Sequence, residues 1–226
     1  MRLLAIDTAL EACAAAILDT KAGELLASES QFMARGHAEA LMPLLARVMD
    51  HAGVEFRELD RIAVTVGPGS FTGLRVGISA ARGIALAAAK PAVGLSTLSA
   101  FAAPHIAAAS AEAVLAAIDA RNDSAYVQIF AAGGRTLLAP ALLSLDEAAK
   151  AAVGLAPLLV GSAADKLAAR WPPDQPPPLA VAAESAPDIG WIARLGAAAD
   201  EPRGPPRPLY LRRPDARPQA APLPRH

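Results

Sequence analysis

The sequence predicts an α/β protein built as two successive blocks, and three observations carry that prediction. Short apolar runs alternate with Ala-rich helical segments along most of the chain. Each block opens with closely connected strands and closes with helices. A glycine-rich turn in the first block joins a strand directly to a long helical segment. No internal sequence repeat accompanies this shared order, so a duplicated architecture is an expectation from element order alone.

In the first block, Arg2–Asp7 and Ala14–Leu18 read as strands joined by the tight turn Thr8 to Glu11, and Glu24–Gln31 reads as a third, reached through Lys21-Ala22-Gly23. Connections this short imply an antiparallel meander. Gly36 to Ala52 reads as a helix with Leu41, Leu44, Leu45 and Val48 on one face. Pro43 should kink it or mark where the regular helix starts. Ile62–Val66 is the next strand, Leu74–Ala89 the next helix and Ala92–Leu95 the strand after it. Strands alternating with helices predict parallel pairing here.

The second block begins near Thr97 with a helix to about Ala108. Val114–Asp119, Ala125–Ala131 and Thr136–Leu138 read as strands, the last two joined through Gly133-Gly134. Ser144-Leu145-Asp146-Glu147 matches a capping box, in which the serine and glutamate satisfy each other's backbone N–H groups, and it opens a helix over Leu145–Val153. Leu158–Val160 is a strand, Ala163–Arg170 a helix, and Trp171 to Pro178 a proline-rich linker. Leu179–Ala182 and Pro187–Ala199 read as a short strand and a final helix, and Leu209-Tyr210-Leu211 as an isolated strand candidate. The expected organisation is a first lobe over 1–96, a smaller second lobe over 97–202 and a mostly disordered segment over 203–226.

The 226 residues are 54% apolar but only 4% aromatic, so the core is expected to rest on small side chains in close contact. One cysteine, Cys13, excludes a disulfide framework and a multi-cysteine zinc site, and fits a reducing, cytoplasmic compartment. The N-terminal apolar run is interrupted by Asp7 and is too short for a signal peptide, and no run reaches membrane-spanning length. Residues 203–226 hold six arginines and one acid, and residues 1–202 hold 15 basic and 21 acidic side chains. A body of that balance is a poor nucleic-acid platform. Seven prolines make the tail read as a solvated segment rather than an RNA-binding arm.

The stretch Gly67-Pro68-Gly69-Ser70-Phe71-Thr72-Gly73-Leu74-Arg75-Val76-Gly77 places four glycines in eleven residues. Such a loop either receives a phosphate or lets another backbone come very close. It lacks the Gly-Lys-Ser/Thr of a Walker A loop, and its Gly67-x-Gly69-x-x-x-Gly73 spacing departs from the dinucleotide fingerprint. Beyond it, Gly73, Gly77, Ala80, Ala81, Ile84 and Ala88 recur every three or four residues as a flat stripe, with Leu74, Ile78 and Leu86 on a side suited to the sheet. The stripe fits close packing against another helix of this chain or against a second protein. Asp7-Thr8, at a strand end, either faces metal-bound phosphates, with Gly67, Gly69 and Ser70 as nucleotide-binding neighbours, or simply caps its turn.

Histidines 37, 51, 105 and 226 include no i, i+4 pair, and no HExxH occurs. Cys13 sits in an apolar strand, where a buried structural thiol is the expectation. Asp119-Ala120-Arg121-Asn122-Asp123 is a polar strand-end cluster fitting either a ligand site or a salt-bridged turn.

Four segments together carry a resemblance: Leu4-Ala5-Ile6-Asp7-Thr8-Ala9 with Glu11-Ala12-Cys13, the glycine-rich stretch, Ala117-Ile118-Asp119-Ala120-Arg121, and Pro208-Leu209-Tyr210-Leu211-Arg212. In this order they resemble the bacterial TsaB (YeaZ) family, over most of the chain to about Arg213 and only loosely over 150–200. The resemblance implies an actin-like ASKHA (ribonuclease H-like) fold with two lobes, each a mixed sheet flanked by helices. It implies a non-catalytic, cofactor-free role in making threonylcarbamoyladenosine beside the tRNA anticodon. The partners it implies are a metal-bearing TsaD-like paralogue that transfers the threonylcarbamoyl group, a TsaE-like ATPase, tRNA reached through the complex, and a second copy of the chain when the paralogue is absent. The paired histidines of the TsaD metal motif correspond here to His37 and Leu41, so the second ligand is missing, and the older M22 glycopeptidase naming of the group finds no support in these residues. Docking through the N-terminal lobe would then use Gly36, His37, Leu41, Leu45, Gly69, Phe71, Gly73, Leu74, Arg75, Gly77, Ala80, Ala81 and Ile84. On that reading a bulky residue at Gly77 is expected to abolish pairing and spare the fold. The rival class is an ASKHA-type nucleotide hydrolase or kinase using Asp7, Thr8 and the Gly67–Gly73 loop; a metallopeptidase is a third.

Overall fold

The computed structural model describes residues 1–212, so the arginines and His226 of the segment 213–226 lie outside the described residues. The first sheet is formed by β1 (Arg2–Asp7), β2 (Ala12–Asp19), β3 (Glu24–Phe32), β4 (Arg61–Gly67) and β5 (Ala92–Ser96), in the order β3-β2-β1-β4-β5. The first three strands form the expected antiparallel meander, and β1, β4 and β5 run parallel. The second sheet repeats the plan with β6 (Ala113–Asp119), β7 (Ser124–Ala131), β8 (Thr136–Ser144), β9 (Leu158–Val160) and β10 (Ala180–Ala182), in the order β10-β9-β6-β7-β8. Two mixed five-stranded sheets wound alike, each flanked by helices, are the two lobes of the actin-like ASKHA fold. The duplication missing from the sequence is therefore plain in the topology.

Helices α1 (His37–Ala52) and α2 (Phe71–Ala88) cover one face of the first sheet. Leu41, Leu44, Leu45 and Val48 of α1 meet Leu74, Ile78 and Ala81 of α2 over Leu4, Ile6, Cys13, Ile62 and Val64. Helix α1 starts at His37 and runs unbroken through Pro43, so Pro43 does not mark where the helix starts. Helix α2 starts at Phe71, three residues before the expected Leu74, because the Ser70 side chain caps it by accepting from the Gly73 amide at 3.3 Å.

Helix α3 (Thr97–Ala107) leads from the first lobe into the second. Its Ala100 joins the core beneath the first sheet, and Leu98, Phe101 and Ala102 join the core of the second. Helices α4 (Leu145–Ala151) and α5 (Ala164–Ala168) cover the far face of the second sheet, and α4 opens with the capping box read from Ser144 and Glu147. Strand β8 continues well beyond the expected Leu138. It is an edge strand, and the register slips beside Pro140, so the missing N–H is tolerated.

The last helix, α6 (Ile189–Ala198), falls in the span read as second lobe but returns to the first sheet, packing on β1, β2 and β4 opposite α1 and α2. The approach is close: a Cβ on Gly196 would run into the Ala63 methyl. Ala5, Ala14, Ala16 and Ala63 supply the flat sheet surface beneath, which gives the alanine-rich composition its structural reason. The buried Arg61 guanidinium holds the helix end by donating to the carbonyls of Gly196 (3.1 Å) and Ala199 (2.6 Å), and it pairs with Glu201 at 2.7 Å. A fixed cation at a helix C-terminus satisfies carbonyls that have no intrahelical partner.

Candidate docking face and inter-lobe cleft

The glycine-rich turn and the turn after β1 close on each other. Asp7 ends β1 with its carboxylate wholly buried. One oxygen accepts from the Ala9 amide at 3.0 Å and from the Thr65 hydroxyl. The other has no partner. Burial pushes this carboxyl above the ordinary carboxylate range; the Thr65 hydroxyl, the Ala9 amide and the His37 ring pull it back only in part. Thr8 donates its hydroxyl proton to the Gly73 carbonyl at 2.7 Å, and the Ser70 amide donates to the Ala9 carbonyl at 2.7 Å. His37 lies beneath the same turn with Nε2 2.9 Å from the Leu10 carbonyl. A carbonyl can only accept, so this contact puts a proton on Nε2.

The glycines make that closure possible. A Cβ on Gly69 would strike the Ala9 carbonyl, one on Gly73 the Thr8 carbonyl, and one on Gly77 the Thr8 hydroxyl. Of the two uses read from the sequence, the loop serves the close approach of another backbone, and that backbone is the chain's own β1–β2 turn. The residues offered as a phosphate site divide accordingly. Asp7 and Thr8 are buried beneath the closure, Gly67 is covered by Leu209, and Gly69 and Ser70 reach the cleft between the lobes.

That cleft, of about 700 Å³, lies between Leu10, His37 and Phe71 on one side and Asp119, Arg121 and Ser162 on the other, with Arg212 at its margin. Arg121, Asn122 and Asp123 all adopt positive φ in the β6–β7 turn. Burial raises the Asp119 carboxyl, but the Lys166 ammonium at 2.7 Å and the Arg121 amide outweigh it and hold the group below its ordinary range. This strand-end cluster is thus a salt-bridged turn at the cleft rim. Among the described residues, no group of three His, Cys, Asp or Glu side chains is placed to hold a metal ion, and no helix is long and apolar enough to cross a membrane.

The residues expected at a partner interface separate by accessibility. Leu41, Leu45, Gly73, Leu74, Gly77 and Ala81 are enclosed within the chain, and His37 is buried beneath the β1–β2 turn. This corrects the expectation for Gly77: its space is taken by Thr8, so a bulky substituent there strikes the fold itself. Gly36, Phe71 and Arg75 are exposed, and Gly69, Ala80 and Ile84 are partly so. Leu86, expected on the sheet side, is 85% exposed on the outer face. Between α1, the 3-10 turn Phe56–Glu58 and α2 runs an apolar groove of about 550 Å³, lined by Met42, Phe56, Ala80, Gly83, Ile84 and Ala87. Sequence reasoning missed Met42, Phe56, Gly83 and Ala87. The signal was present: Ala80, Gly83 and Ala87 repeat at three and four residues, one position round the helix from the chosen stripe.

Cys13 is buried in β2, and burial, with the neighbouring Asp7 and Glu29 carboxylates, pushes its thiol up to about 11.

Residues 27–178 match the family model described as "TsaD: tRNA N6-adenosine threonylcarbamoyltransferase". The chain is similar to the solved structure "YeaZ from Pseudomonas aeruginosa", with 31% identity and a TM-score of 0.78 over 93% of this chain and 99% of that one. It is 38% identical over 126 residues to the "tRNA threonylcarbamoyladenosine biosynthesis protein TsaB" of Escherichia coli (strain K12), covering 56% of this chain and 53% of that protein. The match thus spans about half the length of that relative, as it does for the Haemophilus influenzae protein of the same description, at 52%. An uncharacterized protein of Mycobacterium tuberculosis is 34% identical over 223 residues, covering 96% of this chain and 95% of that one.

Proposed function

The chain belongs to the TsaB (YeaZ) family, and from that premise we propose that it serves as a non-catalytic subunit in threonylcarbamoyladenosine modification of tRNA, acting by docking onto and activating a TsaD-like paralogue. The observation that carries this reading is the apolar groove between α1, the 3-10 turn and α2, where Met42, Phe56 and Gly83 stand open to solvent, with Leu86 exposed on α2 beyond it. Exposed apolar surface of this kind is stabilised by burial against another protein, at about 25 cal/mol per Å² removed from water. Two such helices fit a second helix pair of the same fold, which a paralogue supplies. A second copy of the chain is the substitute in its absence.

The chemistry beneath the closed turns supports the non-catalytic part. The Asp7 carboxyl and Thr8 hydroxyl, which a phosphate-transferring enzyme of this fold would need at its metal and phosphates, are engaged inside the chain by Thr65 and Gly73. In the proposed assembly the TsaD-like subunit holds the metal and transfers the group, a TsaE-like subunit hydrolyses ATP, and tRNA is reached through the complex in the cytoplasm. Docking activates the paralogue only as far as the chain binds its competent arrangement more tightly than its others.

The test is calorimetric titration of the chain against the TsaD-like paralogue, with an Ala80→Arg variant beside the wild type, followed by a tRNA modification assay. The reading predicts at least tenfold weaker binding and a matching loss of modification for Ala80→Arg, at unchanged melting temperature. The rival hydrolase reading predicts ATP turnover by the isolated chain.

A further inference from the structure

We propose that Pro206–Arg212 is a strap that holds the two lobes at a fixed separation, seated in a socket on β4 at one end and on the turn after β6 at the other. The inference goes beyond the docking role and does not depend on it.

The strap's sequence makes it extended. Pro205, Pro206 and Pro208 fix their own φ and carry no N–H, so this stretch cannot build a helix or a ladder of its own. Leu209 is the first residue after Pro208 with an amide to donate. Its N–H meets the Val66 carbonyl at 2.7 Å.

That carbonyl is free for a reason. The pairing of β4 with β5 slips between Thr65 and Gly67 and leaves Val66 out of the register. An unpaired residue of this kind ends local pairing and bares its backbone groups. Two glycines then clear the path. Gly67 has φ of 116°, and a Cβ there would lie 2.9 Å from the Leu209 carbonyl oxygen. A Cβ on Gly94 of the neighbouring β5 would strike the Val66 side chain and lie 3.3 Å from the Pro206 ring. Bulge, left-handed glycine and flat glycine together form a socket shaped for an extended segment.

Beyond the socket the strap crosses the first turn of α2. The Tyr210 ring lies 5.6 Å from that of Phe71, centroid to centroid, at 31°. The Arg75 guanidinium stacks 3.8 Å over Phe71, and its Nε reaches the Tyr210 hydroxyl at 3.4 Å. Arg212 then donates from Nη1 to the Ala120 carbonyl of the second lobe at 3.2 Å. The lobes are joined covalently where β5 enters α3 and where β10 leads to α6. The strap adds a link at the cleft, where Arg212 stands on its margin. A link of this kind limits hinge motion of one lobe against the other.

The test uses the full chain with spin labels at Asp50→Cys on α1 and Lys150→Cys on α4, both exposed, while Cys13 stays buried and unlabelled. Pulsed dipolar spectroscopy compares this protein with the same protein carrying Leu209→Pro and Arg212→Ala, and with Arg212→Ala alone. The strap predicts a distance distribution at least twice as broad in the double variant, with an intermediate effect from Arg212→Ala, whose side chain is dispensable to the core. Hydrogen exchange on the unlabelled wild type should show the Leu209 amide slowed at least a hundredfold against an unstructured chain. An unchanged distribution in the folded variants, or a Leu209 amide exchanging at the unstructured rate, would overturn the proposal.

Discussion

The Thr8 hydroxyl occupies the space that a side chain at Gly77 would need, and it donates its proton to the Gly73 carbonyl one turn earlier, at 2.7 Å. This pair of residues decides what the glycine-rich turn is for. The first turn of α2 lies against the end of β1 with the Thr8 side chain filling the space between them, and the Thr8 hydroxyl, which could have met a ligand, meets the Gly73 carbonyl.

The relationship predicts a specific coupling. Gly77→Ala alone should destabilise the chain by about 1–3 kcal/mol, because the new methyl overpacks against Thr8 and Val64. In a Thr8→Ala background the obstructing hydroxyl is gone, and the same substitution should cost less than about 0.5 kcal/mol. Urea denaturation of the two single variants and the double variant measures the coupling; additive effects would show that Thr8 does not set the limit at Gly77.

Asp7 should give the stability an unusual pH response. Its folded-state pKa is raised above the ordinary 3.8, chiefly by burial. The stabilisation from holding its proton is therefore present as pH falls below the folded value and is lost as pH rises through it. Glu29, Glu58 and Glu147 are held below their ordinary range and act in the opposite sense, losing their contribution in acid. The Asp7 part is isolated by difference. Asp7→Asn should gain stability relative to the wild type between pH 4 and pH 8, and parallel pH profiles of the two denaturation midpoints would contradict this.

Arg61 and Glu201 should behave unequally although they form one ion pair. Arg61→Ala leaves the carbonyls of Gly196 and Ala199 without their donor and should destabilise by about 2–4 kcal/mol. Glu201 is 79% exposed on its side chain, so Glu201→Ala should cost less than about 1 kcal/mol. Thermal melts of both variants decide the matter.

Cys13 should resist modification. Its thiol is buried and pushed up to about 11, so little thiolate exists at neutral pH. A thiol reagent at pH 8 should label it only after denaturant is added; stoichiometric labelling of the native chain would contradict its placement.

Much of the fold was legible because periodicity reports local structure. The meander β1 to β3, the capping box at Ser144 and the strand–turn–helix through Gly67 all follow from short-range pattern. Pairings between distant segments were not legible. Nothing in the apolar spacing of α6 says that it returns to the first sheet, since either sheet offers an apolar face. Strand β8 runs past the expected Leu138 and through Pro140, which its position on a sheet edge allows. At the site, small residues on α2 marked close packing but not its direction. Gly73 and Gly77 serve the chain's own β1 turn, and Gly83 opens to the outside with nothing within 4 Å of a Cβ. Glycine spacing is the same for either purpose; what lies opposite decides.

Gly83 therefore offers the most direct test of the docking face. Gly83→Glu adds a charge in open space and replaces a weak helix former, so folding stability should hold or rise by up to about 1 kcal/mol. Titrated calorimetrically against the TsaD-like paralogue, the variant should bind at least tenfold more weakly than the wild type. Wild-type affinity for Gly83→Glu, with the fold intact, would contradict the assignment of this face.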